Sequence, residues 1–178
     1  MESVWGNAYD QGHSFILNNL SGEITSLSVS HSIPAQVAVG YAGSNPIALI
    51  GYENNSLIQT YNIAPPSLTK DLLFIDLNGD AVEELVVLCS SDTGTLVQVY
   101  QQQAGVWSEF LLIQLADSTL NRIQAGSLNG DTLPDFLLWS SSADATALLG
   151  ITDGGFESQP VVLESSSLKK VADLNQDG

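Results

Sequence analysis

The chain has 178 residues, of which 44% are hydrophobic and 13% are charged. This length is sufficient for a domain with a real hydrophobic core, and the composition excludes an intrinsically disordered chain. The 20 acidic and 4 basic residues give a formal net charge of −16. Because this charge repels phosphate groups, nucleic acid and anionic membrane surfaces are disfavoured as partners. No run of about 18 apolar residues is present, so the sequence predicts no membrane span.

Three local features bear on the compartment of the protein. Cys89 is the only cysteine, which excludes an internal disulfide, and its apolar neighbours predict a small buried thiol. The chain opens without the basic and apolar pattern of a signal peptide. Two N-glycosylation sequons, at Asn19 and Asn54, slightly favour an exported protein, at the cell surface or extracellular.

The residue pattern in the first part of the chain predicts β-strands. Short apolar runs separated by Gly, Asn, Asp, Ser and Pro dominate the sequence and are typical of an all-β fold. Residues 1–22 resemble the outer strands of a partial repeat. Residues 23–69 form the first full repeat, in which the turn at 30–34 carries no acid. Its predicted strands are Ile24–Val29, Gln36–Tyr41, Pro46–Glu53 and Leu57–Ile63.

The next two repeats follow the same plan. Residues 70–120 contain the predicted strands Leu72–Ile75, Glu84–Cys89, Thr95–Gln101 and Val106–Leu115. Residues 121–168 contain Arg122–Gly126, Asp135–Ser140, Ala145–Thr152 and Glu157–Glu164. Residues 169–178 begin a further, partial repeat.

Each full repeat is a four-stranded antiparallel meander of about 50 residues, which is the pattern of a β-propeller blade. The sequence therefore predicts one propeller-type domain over residues 1–178, with about three full blades and two partial ones. A closed ring needs roughly twice this length, so a fragment or a partial, open propeller is expected. The exposed faces of an open propeller would favour association with its remainder or with another chain.

Three oxygen-rich segments recur in the repeats, at 76–80, 127–131 and 173–177, and they start 51 and 46 residues apart. Side-chain oxygens occupy alternate positions of each segment, and the first two segments are followed by a further acid. Calcium takes about six to eight such oxygen ligands, backbone carbonyls included. The predicted calcium ligands are Asp76, Asn78, Asp80, the Val82 carbonyl and Glu84 in the first loop, Ser127, Asn129, Asp131, the Leu133 carbonyl and Asp135 in the second, and Asp173, Asn175 and Asp177 in the third.

The three loops are not equivalent in their predicted ligands. Ser127 stands where the first loop has an acid, which predicts weaker calcium binding or an empty turn held by hydrogen bonds. An EF-hand is excluded for the first two loops because Ala81 and Thr132 replace its glycine, and Val87 and Leu138 replace its closing acid. An Asx-rich turn without metal remains an alternative.

The segment from Phe74 to Val87, Phe-Ile-Asp-Leu-Asn-Gly-Asp-Ala-Val-Glu-Glu-Leu-Val-Val, resembles the FG-GAP or VCBS repeat. This repeat is the calcium-loop blade of integrin α-subunit propellers and of many bacterial surface proteins. The resemblance covers the chain from about residue 24 onward, and it departs from the family pattern at Ala81, Thr132 and Ser127. It implies a propeller with cation loops between the first two strands of a blade, and a role in adhesion or protein recognition.

No catalytic motif was found in the sequence. A nucleophile elbow, a phosphate-binding loop and a zinc-protease helix are all absent, and His13 and His31 are expected to be solvated. Strand alternation would direct Glu83 and Glu84 to opposite faces, which argues against a catalytic carboxylate pair. Of the tryptophans, Trp107 and Trp139 are expected in the core, and Trp5 is left undecided.

The sequence as a whole favours a non-enzymatic calcium-binding module that contacts a protein or glycan partner through the loops on one face. Two alternatives were retained. The first is a propeller domain of an extracellular polysaccharide-active enzyme, and the second is an assembly scaffold completed by another chain.

Overall fold

The computed structural model describes residues 23–32, 34–42, 46–54, 56–140 and 144–162. In these ranges the chain is all-β, with no helix and hence no helix long and apolar enough to cross a membrane. The strands are β1 Ile24–Val29, β2 Gln36–Tyr41, β3 Ile47–Glu53, β4 Ser56–Ile63, β5 Thr69–Ile75, β6 Glu84–Ser91, β7 Gly94–Gln103, β8 Val106–Leu115, β9 Arg122–Gly126, β10 Asp135–Trp139, β11 Asp144–Gly150 and β12 Phe156–Val162.

The strands form three four-stranded sheets, each built from consecutive strands paired antiparallel with their neighbours. Sheet 1 contains β1–β4, sheet 2 contains β5–β8 and sheet 3 contains β9–β12. The predicted all-β fold and the three predicted meanders are therefore confirmed. No closed ring of sheets is present in the described part of the chain, and the predicted partial blades at 1–22 and 169–178 lie outside it.

Several strand boundaries differ from the prediction by one to three residues, and two of these differences have local reasons. β5 begins at Thr69 rather than at Leu72. The polar residues at its start interrupt the apolar pattern, and the pairing with β6 has a register shift between Thr69 and Asp71. β11 ends at Gly150 rather than at Thr152, because a hydrogen bond from the Ile151 N–H to the Gly155 carbonyl already belongs to the next turn. The predicted end of β12 at 164 lies outside the described residues.

Sheet 2 packs between the other two sheets, and strand alternation divides its side chains between two cores. On β6, Leu85, Val87 and Cys89 belong to the core shared with sheet 1, where they meet Ala38 and Leu49. Val86 and Leu88, which alternate with them, belong to the core shared with sheet 3. All five of these side chains have 0% exposure. This near-continuous apolar run is what a strand buried on both faces requires.

The first strands of the three sheets lie side by side, with β5 in contact with both β1 and β9. Two hydrogen bonds of the same type connect them. The Phe74 N–H donates to Ser28 Oγ of sheet 1 at 3.0 Å, and the Ile123 N–H donates to Asp71 Oδ2 of sheet 2 at 3.1 Å. In both cases a side chain on the first strand of one sheet accepts from the backbone of the first strand of the next sheet.

Candidate metal centre

The first candidate loop joins β5 to β6, and Asp76 organises its backbone. Asp76 Oδ1 accepts the Gly79 N–H at 2.7 Å, and Asp76 Oδ2 accepts the Ala81 N–H at 2.9 Å. Gly79 and Ala81 both adopt the left-handed conformation, with φ of 77° and 65°. This winding turns successive N–H groups and alternate side chains toward the inside of the loop.

The side-chain oxygens of the other predicted ligands of this loop also accept hydrogen bonds within it. Asn78 Oδ1 accepts the Asp80 N–H at 2.8 Å, and Asp80 Oδ1 accepts the Val82 N–H at 2.8 Å. Glu84, the first residue of β6, reaches back into the loop. Its Oε2 accepts the Leu77 N–H at 2.9 Å and its Oε1 accepts from Asn78 Nδ2 at 3.2 Å.

Glu84 is the electrostatically costly member of this set. Its side chain is buried, with 4% exposure. Burial raises the pKa of the Glu84 carboxyl, the Leu77 N–H opposes this shift, and the charges of Asp80 and Asp76 raise the pKa further. The negative charges of Asp80 and Asp76 thus act on the Glu84 carboxyl. Among the described residues, no Lys or Arg forms an ion pair with any of them.

These residues fit a calcium ion in charge and in donor type. Three carboxylates and an amide oxygen are the hard ligands that calcium prefers, and a divalent cation would remove the mutual repulsion that the loop otherwise carries. Within the described ranges, no three Asp, Glu, His or Cys side chains stand in a metal-binding cluster by themselves. The carboxylates of Asp76, Asp80 and Glu84 accept N–H groups of the loop instead, so they would have to rearrange to ligate one ion.

The second candidate loop joins β9 to β10 and is closed by hydrogen bonds around Asp135. This residue has 0% exposure. Its Oδ2 accepts the N–H groups of Leu128 and Asn129 at 2.6 and 3.3 Å, and its Oδ1 accepts the Gly150 N–H of β11 at 2.8 Å. Asp135 therefore joins its loop to the third strand of the sheet, using both carboxylate oxygens.

The remaining members of the second loop fit a cation less well. Ser127 Oγ donates to the Asp131 carbonyl at 3.0 Å, so its hydroxyl acts as a donor here. Asn129 Oδ1 accepts the Asp131 N–H at 3.0 Å, and Asp131 Oδ1 accepts the Leu133 N–H at 2.8 Å. This arrangement agrees with the turn held by hydrogen bonds that Ser127 suggested. The predicted ligands Asp173, Asn175 and Asp177 lie outside the described residues.

Sequence reasoning missed the role of Glu83, which connects the first loop to sheet 1. Glu83 Oε2 accepts the backbone N–H groups of His31 and Ser32 at 2.5 and 3.0 Å and the Ser32 hydroxyl at 3.1 Å. Its Oε1 lies 3.2 Å from His31 Nδ1. The turn at 30–34, which has no acids of its own, is thus held by an acid of the next repeat. The sequence did indicate that strand alternation directs the side chains of Glu83 and Glu84 to opposite faces.

Ser32, His31 and Glu83 are the residue types of a hydrolytic triad, but they are connected in a different order. In a triad the imidazole lies between the hydroxyl and the carboxylate, so that it can accept the hydroxyl proton. Here the carboxylate lies between the other two, and the His31 side chain is 92% exposed. The imidazole is therefore not placed to accept the Ser32 hydroxyl proton as it would in a triad.

Two grooves flank the first loop. The groove on the side of sheet 1 has a volume of about 410 Å³ and includes Glu83, Gln102 and the edge of Trp107. The groove on the side of sheet 3 has a volume of about 240 Å³ and includes Phe110 and Phe156. Phe110 is 52% exposed. Both grooves combine aromatic side chains with acids or amides of the loop, which are groups that peptides and sugars contact.

The other sequence predictions have mixed outcomes. Cys89 and Trp107 are buried, with 0% and 8% exposure, as predicted. Trp139 is only half-buried at the end of β10, so the prediction of a core position is only partly confirmed. Asn54 is exposed at the tip of the β3–β4 hairpin. Asn19, Trp5 and His13 lie outside the described residues.

No protein-family model matches this chain, and no curated protein matches it.

Proposed function

We propose that this chain is a non-enzymatic calcium-binding module built from β-propeller blades of the FG-GAP or VCBS type. In this proposal calcium stiffens the loops between the first and second strands. The loops on that edge then contact a protein or glycan partner of an exported protein. The observation that supports the proposal is that the charges of Asp80 and Asp76 act on the buried Glu84 carboxyl of the same loop, while no Lys or Arg among the described residues forms an ion pair with these three acids.

The arrangement of the sheets supports the propeller part of the proposal. Blades of a propeller place their first strands around a common axis and pack face to face. Here β1, β5 and β9 are adjacent in that order, and sheet 2 shares a core with each neighbour. The hydrogen bonds from Phe74 to Ser28 and from Ile123 to Asp71 repeat the same connection at both junctions.

The position of the loops supports the recognition part. The turn at 30–34 and the loop at 76–83 are the first-to-second-strand connections of their sheets, and Glu83 joins them directly. The corresponding loops therefore lie on one edge of the array. Fixing one of them with a cation would also fix its neighbour, and would keep the two flanking grooves in a constant shape for a partner.

The calcium part is tested by thermal unfolding of the chain in calcium and in EDTA, with magnesium as a control ion. Calcium at about 100 times its dissociation constant would stabilise the fold by about 2.7 kcal/mol. For a domain of this size, the melting temperature would rise by about 5–10 °C. Asp80→Asn in the first loop is expected to abolish the rise, whereas the matched change Asp131→Asn in the second loop should leave most of it. Identical melting of the wild type in calcium and EDTA would contradict the proposal.

The recognition part is tested by glycan-array binding and by binding to extracellular proteins, each with calcium and with EDTA. Calcium-dependent binding that Phe110→Ala or Gln102→Ala reduces would support the two grooves as the contact surface. Cleavage of a glycan in the same screen would instead favour the polysaccharide-active alternative.

A further inference from the structure

We propose that Asn129, in the second loop, is a site of spontaneous deamidation and isoaspartate formation, from which the equivalent Asn78 in the first loop is protected. The chain has two Asn-Gly pairs, Asn78-Gly79 and Asn129-Gly130, at the same position of their loops. This inference does not depend on calcium binding, because it concerns the hydrogen bonds of the metal-free loops.

The reaction requires a free backbone nitrogen after the asparagine. The nitrogen of the following residue loses its proton to a base in solution and attacks Cγ of the asparagine side chain. The bond between Cγ and Nδ2 breaks, ammonia leaves, and a five-membered succinimide remains. Water then opens either carbonyl of this ring to give aspartate or isoaspartate. Glycine favours the attack because it has no Cβ that would hinder the ring.

The two loops are closely matched in the features that this reaction needs, with one exception. Gly79 and Gly130 have φ of 77° and 80°, so their backbone conformations are alike. Both asparagine side chains are exposed to water, and each Oδ1 accepts the N–H of the residue two positions later, at 2.8 and 3.0 Å. Both Nδ2 groups also donate to a carboxylate, that of Asn78 to Glu84 Oε1 at 3.2 Å and that of Asn129 to Asp131 Oδ2 at 2.7 Å, so the partners of the two asparagines are of the same kind.

The exception is the partner of the glycine N–H. The Gly79 N–H donates to Asp76 Oδ1 at 2.7 Å, which holds the nitrogen and makes loss of its proton beside a carboxylate unfavourable. At the same position of the second loop stands Ser127, whose hydroxyl is turned to the Asp131 carbonyl. Among the described contacts, none holds the Gly130 N–H. The exchange of an acid for a serine thus removes the group that protects the first loop.

The products would alter the second loop in two ways. Aspartate adds a negative charge beside Asp131, which raises the charge of this loop to that of the first. Isoaspartate carries the main chain through its side-chain carbon and lengthens the loop by one atom. This moves the Asn129 side-chain carbonyl, which now accepts the Asp131 N–H, into the main chain.

The test is to incubate the purified chain in EDTA at mildly alkaline pH and to follow both asparagines by peptide mapping and mass spectrometry. A hydrogen bond to a charged group predicts a difference on the order of tenfold, with Asn129 converting faster than Asn78. The two sites provide an internal comparison in one sample, and incubation in denaturant should bring their rates together. Equal rates in the folded chain, or faster conversion of Asn78, would overturn the proposal.

Reciprocal variants test the cause. Ser127→Asp is expected to slow conversion of Asn129, and Asp76→Ser is expected to accelerate conversion of Asn78, with circular dichroism confirming that each variant is folded. If Ser127→Asp folds but Asn129 converts as fast as before, the protection assigned to the first carboxylate is wrong. If a variant does not fold, the comparison of the two sites in the wild type still decides whether the proposal stands.

Discussion

Glu83 binds Ser32 through both the backbone N–H and the hydroxyl, at 3.0 and 3.1 Å, although the two residues are 51 positions apart. This contact joins equivalent turns of two adjacent sheets. Glu83 directly precedes the candidate ligand Glu84. A change in the conformation of the first loop would therefore also affect the contact between sheet 1 and sheet 2.

Removal of this contact should destabilise the protein. Glu83→Ala leaves the N–H groups of His31 and Ser32 without their acceptor, and we expect a loss of about 1–3 kcal/mol in the free energy of unfolding. Urea denaturation measures the loss. Combination with Ser32→Ala should show a coupling energy of about 0.5–3 kcal/mol. The matched control is Glu157→Ala, at an exposed acid of β12, which should change stability by no more than about 0.5 kcal/mol. Strict additivity of the two changes would show that the hydrogen bond between the Ser32 hydroxyl and Glu83 contributes nothing.

Ala81→Gly should stabilise the first loop. Ala81 has φ of 65°, a left-handed conformation that costs a non-glycine residue roughly 1–2 kcal/mol. Glycine removes this cost but loses some conformational entropy on folding, so a net gain of about 0.5–1 kcal/mol is expected. Thr132, at the same position of the second loop, does not have positive φ. Thr132→Gly should therefore lower the melting temperature, and a rise in both variants would contradict the explanation.

Cys89 should be unreactive in the folded chain. Its side chain has 0% exposure, and burial raises the pKa of the thiol from 9.0 to about 11. Ellman's reagent at pH 8 should label the thiol only after denaturation, whereas the introduced thiol of Ser108→Cys on exposed β8 should react at once. Because the folded pKa is raised, the contribution of the thiol to stability is complete below pH 9 and is lost as the pH rises through about 11. Rapid labelling of native Cys89 would contradict its placement in the core.

Asp71 should give the contact between sheets 2 and 3 a measurable pH dependence. Burial raises the pKa of its carboxyl above the ordinary value of 3.8, against the lowering effects of the Ile123 and Leu72 N–H groups and of Arg122. A carboxyl with a raised folded pKa favours the folded state most when it is protonated. Its contribution is therefore complete below pH 3.8 and is lost as the pH rises through the folded pKa.

The comparison of the wild type with Asp71→Asn isolates this effect, since asparagine does not titrate. The difference in unfolding free energy, wild type minus variant, should fall as the pH rises from below 3.8 to neutrality. Urea denaturation at several pH values measures it. A difference that rises with pH would mean that the hydrogen bond from Ile123 outweighs burial.

The strands could be predicted from sequence because their signals are local. The alternating pattern of β7 and the apolar run of β6 can each be recognised from neighbouring residues alone. The spacing of the acids in the two loops is also a local pattern. The start of β5 was missed because Lys70 and Asp71 interrupt the apolar pattern. Lys70 is instead used to bind the carbonyls of Ser118 and Leu120, both at 2.9 Å.

The contacts between sheets could not be predicted in the same way. The link from Glu83 to the turn at 30–34 depends on which loops lie side by side, and this depends on the packing of the sheets. The bond from the Gly150 N–H to Asp135 likewise joins residues that only the pairing of β10 with β11 brings together. In both cases the sequence indicated an acid at a loop. Which N–H groups the acid accepts depends on contacts between residues far apart in the sequence.

The most direct test of the central claim is a crystal structure of the chain grown with calcium, with anomalous scattering measured at the first loop. We predict an ion bound by Asp76, Asn78, Asp80, the Val82 carbonyl and Glu84 at about 2.3–2.6 Å, the range for calcium and oxygen. A loop that remains without an ion in saturating calcium, with Asp76 and Glu84 bound only to N–H groups as they are now, would contradict the account.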